Sequence, residues 1–229
     1  MHIQGIQKLT LLDYPGHIAC TLFSYGCNLR CPFCHNASLV TETPQKPINT
    51  EEITAFLQKR KGILDGICLS GGEPLMNPDA LEFLKYLRGF GYKIKLDTNG
   101  FFLKQLEQAI NQNLLDYVAL DIKAPKESYA AATGISDIDV APLCQSIEMI
   151  MNSGIDHEFR TTAVRGLHNV GDFEEIALWI KGAKRYYIQQ FVSSPDLISH
   201  SFTSFSTEEM NEILADVQKI IPNALLRGI

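Results

Sequence analysis

The residues best placed to do chemistry are three cysteines in the segment Gly26-Cys27-Asn28-Leu29-Arg30-Cys31-Pro32-Phe33-Cys34-His35-Asn36. Their spacing is C-x3-C-x2-C. Three thiolates this close suit an iron–sulfur cubane with three protein-ligated irons, leaving the fourth iron open to an exogenous ligand; electron-transfer clusters usually have four cysteines. The missing fourth cysteine therefore points to a cluster that binds something.

Other readings of the segment compete. Cys31-Pro32-Phe33-Cys34-His35 matches the C-x-x-C-H haem-attachment pattern, which leaves Cys27 unexplained and normally accompanies export. Zinc held by the three cysteines and His35 is stereochemically awkward, because Cys34 and His35 are adjacent. A cluster of core cysteines does not suit a polar loop bearing Gly and Pro. The chain's other cysteines, Cys20, Cys68 and Cys144, are isolated among apolar neighbours and are expected to be buried. One iron–sulfur centre is therefore expected.

Further polar groups follow apolar, β-rich runs. In Ser70-Gly71-Gly72-Glu73-Pro74 two glycines let the backbone approach a ligand closely, and a carboxylate can pair with an ammonium. Asp97-Thr98-Asn99-Gly100 and Asp121-Ile122-Lys123 suit helix caps or ion pairs as well as ligand contacts. Alternation in Glu158-Phe159-Arg160-Thr161-Thr162 puts Glu158, Arg160 and Thr162 on one strand face. There Arg160 meets either a ligand carboxylate or Glu158. Gln189 and Gln190 reach a ligand base or cap a polar layer.

Positioning these groups requires a frame. Strands are predicted at 18–23, 66–70, 92–97, 117–122, 158–164 and 186–192, with a further one at 224–227. Helices are predicted at 50–60, 78–88, 101–112, 140–152, 172–182 and 207–220. Asn49 with Glu52 and Ser206 with Glu209 fit capping boxes, and Asn77 precedes Pro78 as an expected helix cap. Gly91, Gly154 and Gly182 fall where helices end. About six βα units imply an α/β fold with parallel strands and outer helices. The expected architecture is an open partial (β/α)6 TIM-like barrel forming one domain over residues 1–229, with a doubly wound sheet as the alternative. In both, the site lies at the C-terminal strand ends, where these motifs fall.

The C-x3-C-x2-C segment, with the aromatic Phe33 before its third cysteine, resembles the radical S-adenosylmethionine (SAM) superfamily. The resemblance implies that Cys27, Cys31 and Cys34 hold a [4Fe–4S] cluster that reductively cleaves SAM to a 5′-deoxyadenosyl radical. Gly71-Gly72-Glu73 resembles the element that receives the cofactor's amino group. Asp97-Thr98-Asn99-Gly100 and Asp121-Ile122-Lys123 resemble elements of glycyl-radical-enzyme activases that surround the cofactor's ribose and carboxylate. There the aspartates and threonine help hold a monovalent cation, implying that role for Asp97, Thr98 and Asp121. The resemblance also implies cofactor contacts for Phe33, His35, Asn99 and Lys123, and a substrate-peptide contact for Asp13; Arg160, read from strand alternation, is a further candidate for the cofactor.

Leu11-Leu12-Asp13-Tyr14-Pro15-Gly16 and the terminal Leu226-Arg227-Gly228 extend the resemblance over the whole chain, most closely to activases of anaerobic ribonucleoside-triphosphate reductase. It implies a glycyl radical enzyme as protein substrate and flavodoxin or ferredoxin as electron donor. The alternative is a small-molecule radical enzyme like 7-carboxy-7-deazaguanine synthase, a deazapurine-forming protein. A plain electron carrier leaves the motifs after residue 70 unexplained.

Composition narrows the classes. The 229 residues carry 20 Lys and Arg against 26 Asp and Glu, a net charge of −6, which disfavours a nucleic-acid binder. The start Met1-His2-Ile3-Gln4-Gly5 does not read as a secretory signal, and no apolar run approaches the ~18 residues a membrane span needs. A cytoplasmic location is expected.

Overall fold

The computed structural model describes residues 1–229. Eight strands follow one another in chain order across the sheet, and the chain divides into two compact units.

The first unit comprises Met1–Asn28, Ser38–Thr98 and Phe102–Val118. It contains β1 (Ile3–Thr10), β2 (Ala19–Ser24), β3 (Gly66–Gly71) and β4 (Lys93–Thr98). Strands β2, β3 and β4 pair in parallel, with Cys20 opposite Ile67 and Leu69 opposite Leu96. Strand β5 (Tyr117–Asp121) begins here, where the Asp116 N–H donates to the Ile94 carbonyl at 2.8 Å. Leu22, Ile67, Leu69, Ile94 and Leu96 form a fully buried apolar centre, whose removal from water is the main favourable term in folding. Helices α2 (Thr50–Lys59), α3 (Ala80–Arg88) and α4 (Leu103–Asn111) each bury one apolar stripe, such as Ile53 and Leu57 on α2.

Strand β1 is absent from the sequence prediction and runs antiparallel to β2. Only its two end residues are buried, and its register shifts twice. The period-2 signal of a half-buried strand is lost that way. Asn49 caps α2 by accepting from the Glu52 N–H at 2.7 Å. Asn77 does not cap α3. Its side-chain amide donates to the Pro74 carbonyl at 3.2 Å, closing a 3-10 turn over Pro74–Met76, and Asp79 takes the cap position.

The second unit comprises Leu29–Ala37, Asn99–Phe101 and Ala119–Ile229. Strands β6 (Asp156–Ala163), β7 (Tyr186–Gln190) and β8 (Ala224–Arg227) pair in parallel. Just past β5, the Ile122 N–H donates to the Arg160 carbonyl of β6 at 2.8 Å. Helices α6 (Ala141–Asn152), α7 (Val170–Trp179) and α8 (Thr207–Gln218) follow the predicted pattern, and Ser206 and Glu209 form a reciprocal capping box. Gly91, Gly154 and Gly182 have φ of 82°, 79° and 97°. Cys20 and Cys68 are fully buried as expected, but Cys144 is only half-buried. It lies one position off the buried stripe Leu143, Ser146, Ile147 and Ile150 of α6.

Two short helices were not predicted: α1 (Ala37–Thr41) after the cysteine segment, and α5 (Tyr129–Thr133). The signal for α5 was present in Ala130-Ala131-Ala132-Thr133-Gly134, good helix formers stopped by a glycine, and Gly134 adopts φ 68°. No helix is long and apolar enough to cross a membrane.

Candidate active site

Within the first unit the glycine-rich turn after β3 is built by close backbone approach. The Gly72 N–H donates to the Ser24 carbonyl at 2.9 Å, and the Glu73 N–H to the Gly26 carbonyl at 2.8 Å. A Cβ on Gly72 would lie 2.0 Å from the Gly26 carbonyl oxygen, and one on Gly71 2.5 Å from Ser24 backbone atoms. Only glycine fits at either position, so the turn is fixed against the backbone just before Cys27.

Glu73 is fully buried. Its Oε1 accepts from the Leu75 N–H and from the Thr98 hydroxyl, both at 3.0 Å. A buried carboxylate needs such partners, and these lock the turn to the end of β4. Two residues before Thr98, Leu96 fills the core, while Asp97 carries the charge. Asp97 Oδ1 forms an ion pair with the Lys95 ammonium, and its Oδ2 accepts from the Ser70 hydroxyl at 3.0 Å. Asp13 is held in its turn: Thr21 donates to its carboxylate, and its own N–H donates to the Thr10 hydroxyl at 3.1 Å. The Cys27 thiol is half-buried.

Within the second unit the cysteine segment is fastened at several points. The Arg30 N–H donates to the Thr133 carbonyl at 2.8 Å, at the end of α5. A Cβ on Gly134 would meet the Arg30 carbonyl at 2.4 Å, so here too glycine permits the contact. The Cys34 N–H donates to the Cys31 carbonyl at 3.0 Å, and Pro32 accepts from Ser199 at 2.8 Å. Phe33 is buried, and His35 bonds the Val192 carbonyl at 2.7 Å while leaning on Phe191.

Burial pushes the Cys31 thiol up to about 11, opposed by the positive charge of Lys123, and also raises Cys34. Binding iron must therefore displace protons from both. None of the three motif cysteines is in a disulfide. In this unit the fastened loop, the Cys31 and Cys34 thiols and the Lys123 charge that offsets thiolate charge suit iron ligation. A cubane does not need its ligands to converge on one point, since each thiolate binds a different iron.

The end of β5 and the body of β6 carry an ionic chain. Arg160 Nε donates to Asp121 Oδ1 at 2.7 Å, and the Lys123 ammonium to Asp121 Oδ2 at 3.1 Å. Burial disfavours the Asp121 charge, but Arg160 and Lys123 outweigh it and hold the carboxyl well below the usual carboxylate range. Burial likewise works against Lys123, yet Asp121 keeps its pKa above the ordinary lysine value. Arg160 also lies 3.9 Å from Glu158, a long ion pair, so its main partner is Asp121. The fully buried Glu158 is gripped instead by both guanidinium nitrogens of Arg227, each at 3.3 Å, with Arg227 stacked 3.8 Å from the Tyr187 ring centroid.

Asn99 Oδ1 accepts from the Phe101 N–H at 3.1 Å, a turn role. Gln190 donates to the Phe205 carbonyl at 2.7 Å, while its Oε1 is buried without a protein partner.

Sequence reasoning did not single out Lys95, Tyr129 or His168. The Tyr129 hydroxyl accepts from the Lys123 N–H at 3.2 Å. His168 Nδ1 accepts from the Val164 N–H at 3.1 Å, which puts the ring proton on Nε2, donated to the Lys123 carbonyl at 2.8 Å. Lys95 was visible as a neighbour of Asp97 through strand period alone; the other two depend on packing.

A monovalent cation does not fit these aspartates as they stand. Asp97 already bears an ammonium, and Asp121 a guanidinium and an ammonium.

The sequence model described as the Radical SAM superfamily matches residues 21–180. A Methanocaldococcus jannaschii protein named as a glycyl-radical enzyme activating enzyme is 31% identical over 99% of this chain and 96% of its own length. The pyruvate formate-lyase-activating enzyme of Clostridium pasteurianum is 33% identical over 58% of this chain and 57% of its own. Among solved structures, Streptococcus suis SuiB bound to SAM shares the fold with a TM-score of 0.72 at 13% identity, over 91% of this chain and 52% of that one. With its cysteine segment inside a match of this extent and a relative alignable end to end, the chain belongs to the Radical SAM superfamily, whose cofactors are a [4Fe–4S] cluster and SAM.

Proposed function

We propose that this protein is a glycyl-radical-enzyme activase that abstracts a hydrogen atom from a glycine Cα of a partner enzyme, and that the partner is an anaerobic ribonucleoside-triphosphate reductase. The observation that carries the reading is the end-to-end similarity to the Methanocaldococcus jannaschii relative, 31% over 99% of the chain. Held by Cys27, Cys31 and Cys34, a [4Fe–4S] cluster with SAM would supply one-electron reductive cleavage and hydrogen-atom abstraction. A glycine Cα suits this donor role because an amide nitrogen on one side and a carbonyl on the other stabilise the product radical.

In this reading Cys27, Cys31 and Cys34 bind three irons. The Gly71–Gly72 backbone receives the cofactor's ammonium, while buried Glu73 holds the turn in shape and favours positive charge beside it. Lys123 and Arg160 offer cationic donors to the cofactor carboxylate. Asp13 meets the incoming peptide. Flavodoxin or ferredoxin supplies the electron, and the protein works in the cytoplasm as one domain.

The test mixes cluster-loaded protein, SAM, a reductant and the reductase without oxygen, and looks for a glycyl radical by electron paramagnetic resonance. A doublet that collapses when the reductase carries Cα-deuterated glycine is expected. Cleavage of SAM without any radical on the reductase would remove the reductase as partner. Loss of cleavage in Cys31→Ala alongside activity in wild type is the expected control.

A further inference from the structure

Lys95 is fully buried in the middle of β4, an unusual place for a lysine. Its ammonium pairs with Asp97, lies 3.9 Å from the Cys68 thiol and faces the Tyr117 ring from 5.9 Å. We propose that Lys95 is a built-in cation at Asp97, taking the place of the free monovalent ion that the resemblance to other activases implies, so that SAM binding needs neither sodium nor potassium.

Charge and geometry carry the inference. Lys95 and Asp97 are two apart on one strand, so both side chains leave the same face. The lysine side chain is 1% exposed and the aspartate 14%, and the second carboxylate oxygen is taken by Ser70. The Asp97 carboxylate already holds an ammonium. A further cation beside it would lie against that ammonium in a poorly screened interior, where like-charge repulsion is strong. A tethered ammonium also has a high effective concentration and competes well with ions in solution. The inference depends on SAM binding, a property of the superfamily, and not on the partner proposed above; absence of a radical on the reductase would leave it standing.

The measurement is anaerobic calorimetric titration of SAM into the cluster-loaded, full-length protein in tetramethylammonium, sodium or potassium chloride at one ionic strength. Wild-type affinities within about threefold of each other across the salts are expected, and a larger gain in sodium or potassium overturns the proposal. Lys95→Met is expected to bind about tenfold more weakly in tetramethylammonium and to recover severalfold in potassium or sodium. A variant that binds like wild type in every salt also overturns it, because Lys95 would then be a structural ion pair only. Should the variant fail to fold, the wild-type salt comparison decides by itself.

Discussion

Asp97 and Asp121 occupy equivalent places, each at or near the C-terminal end of a parallel strand, yet they are neutralised in different ways. Asp97 takes its cation from its own strand, two residues back, in a pair almost closed to solvent. Asp121 takes Lys123 from two residues ahead and Arg160 from β6, in a group that stays 13–27% exposed. The first arrangement is local and dry. The second is shared across strands and wetter. A dry pair is suited to be a fixed part of the frame, while a partly open cationic group is suited to receive an anionic ligand.

The largest effect that would break this comparison is Lys95→Met. It strands a carboxylate in a nearly closed site, and loss of one partner of a buried pair costs about 3–5 kcal/mol. Denaturant unfolding should show that loss, with much of it recovered in Lys95→Met/Asp97→Asn. Asp121→Asn should cost less, roughly 1.5–3 kcal/mol in the same assay, because water reaches the stranded cations. Equal losses at both positions would erase the distinction between dry and wet.

The pH dependence sharpens it further. The lowered pKa of Asp121 keeps its contribution in place above the ordinary carboxylate value of about 4, with loss only as pH falls through the folded value. Lys123, raised, contributes below about pH 10.4 and loses that only as pH rises through its folded value. Neither changes between pH 5 and 8. His168 does: burial lowers its pKa, so the unfolded chain binds its proton first as pH falls. Its Nδ1 must also remain an acceptor for Val164. Stability should therefore fall from pH 7 toward 5, by at most about 1.4 kcal/mol per pH unit for this group. His168→Gln should flatten the part of that fall not due to His157, whose pKa is also lowered. An unchanged slope in the variant would count against the assignment.

The smallest expected effect is Arg227→Lys, which loses the two-pronged grip on Glu158 and weakens stacking on Tyr187. A loss of about 0.5–1 kcal/mol is expected. SAM affinity in the same variant shows whether the chain of charges from Glu158 through Arg160 reaches the cofactor.

Much of this was legible in one dimension. The alternation of apolar runs with helical stripes located seven strands and six helices, because each element buries one face and records its period in the chain. The cysteine spacing and the glycine pair were legible because covalent geometry and backbone sterics act over a few residues. Strand β1 was not, since its register shifts twice and only its ends are buried. Asn77 was misread as a cap because a competing turn, closed by the Pro74 carbonyl, claimed its side chain.

The sequence by itself pointed to an iron–sulfur cluster with an open iron, through three thiols at fixed spacing, and to the βα order, through local periodicity. Tertiary structure decided which charges are buried and which partner Arg160 takes. Lys95 could have faced solvent, Arg160 could have bound Glu158, and Glu73 could have stood open to ligand. Packing buried the first, gave Arg160 chiefly to Asp121, and closed the third over Leu75 and Thr98. The physical reason is that a charge's partner is set by distance and desolvation, and both exist only once strands distant in sequence lie side by side.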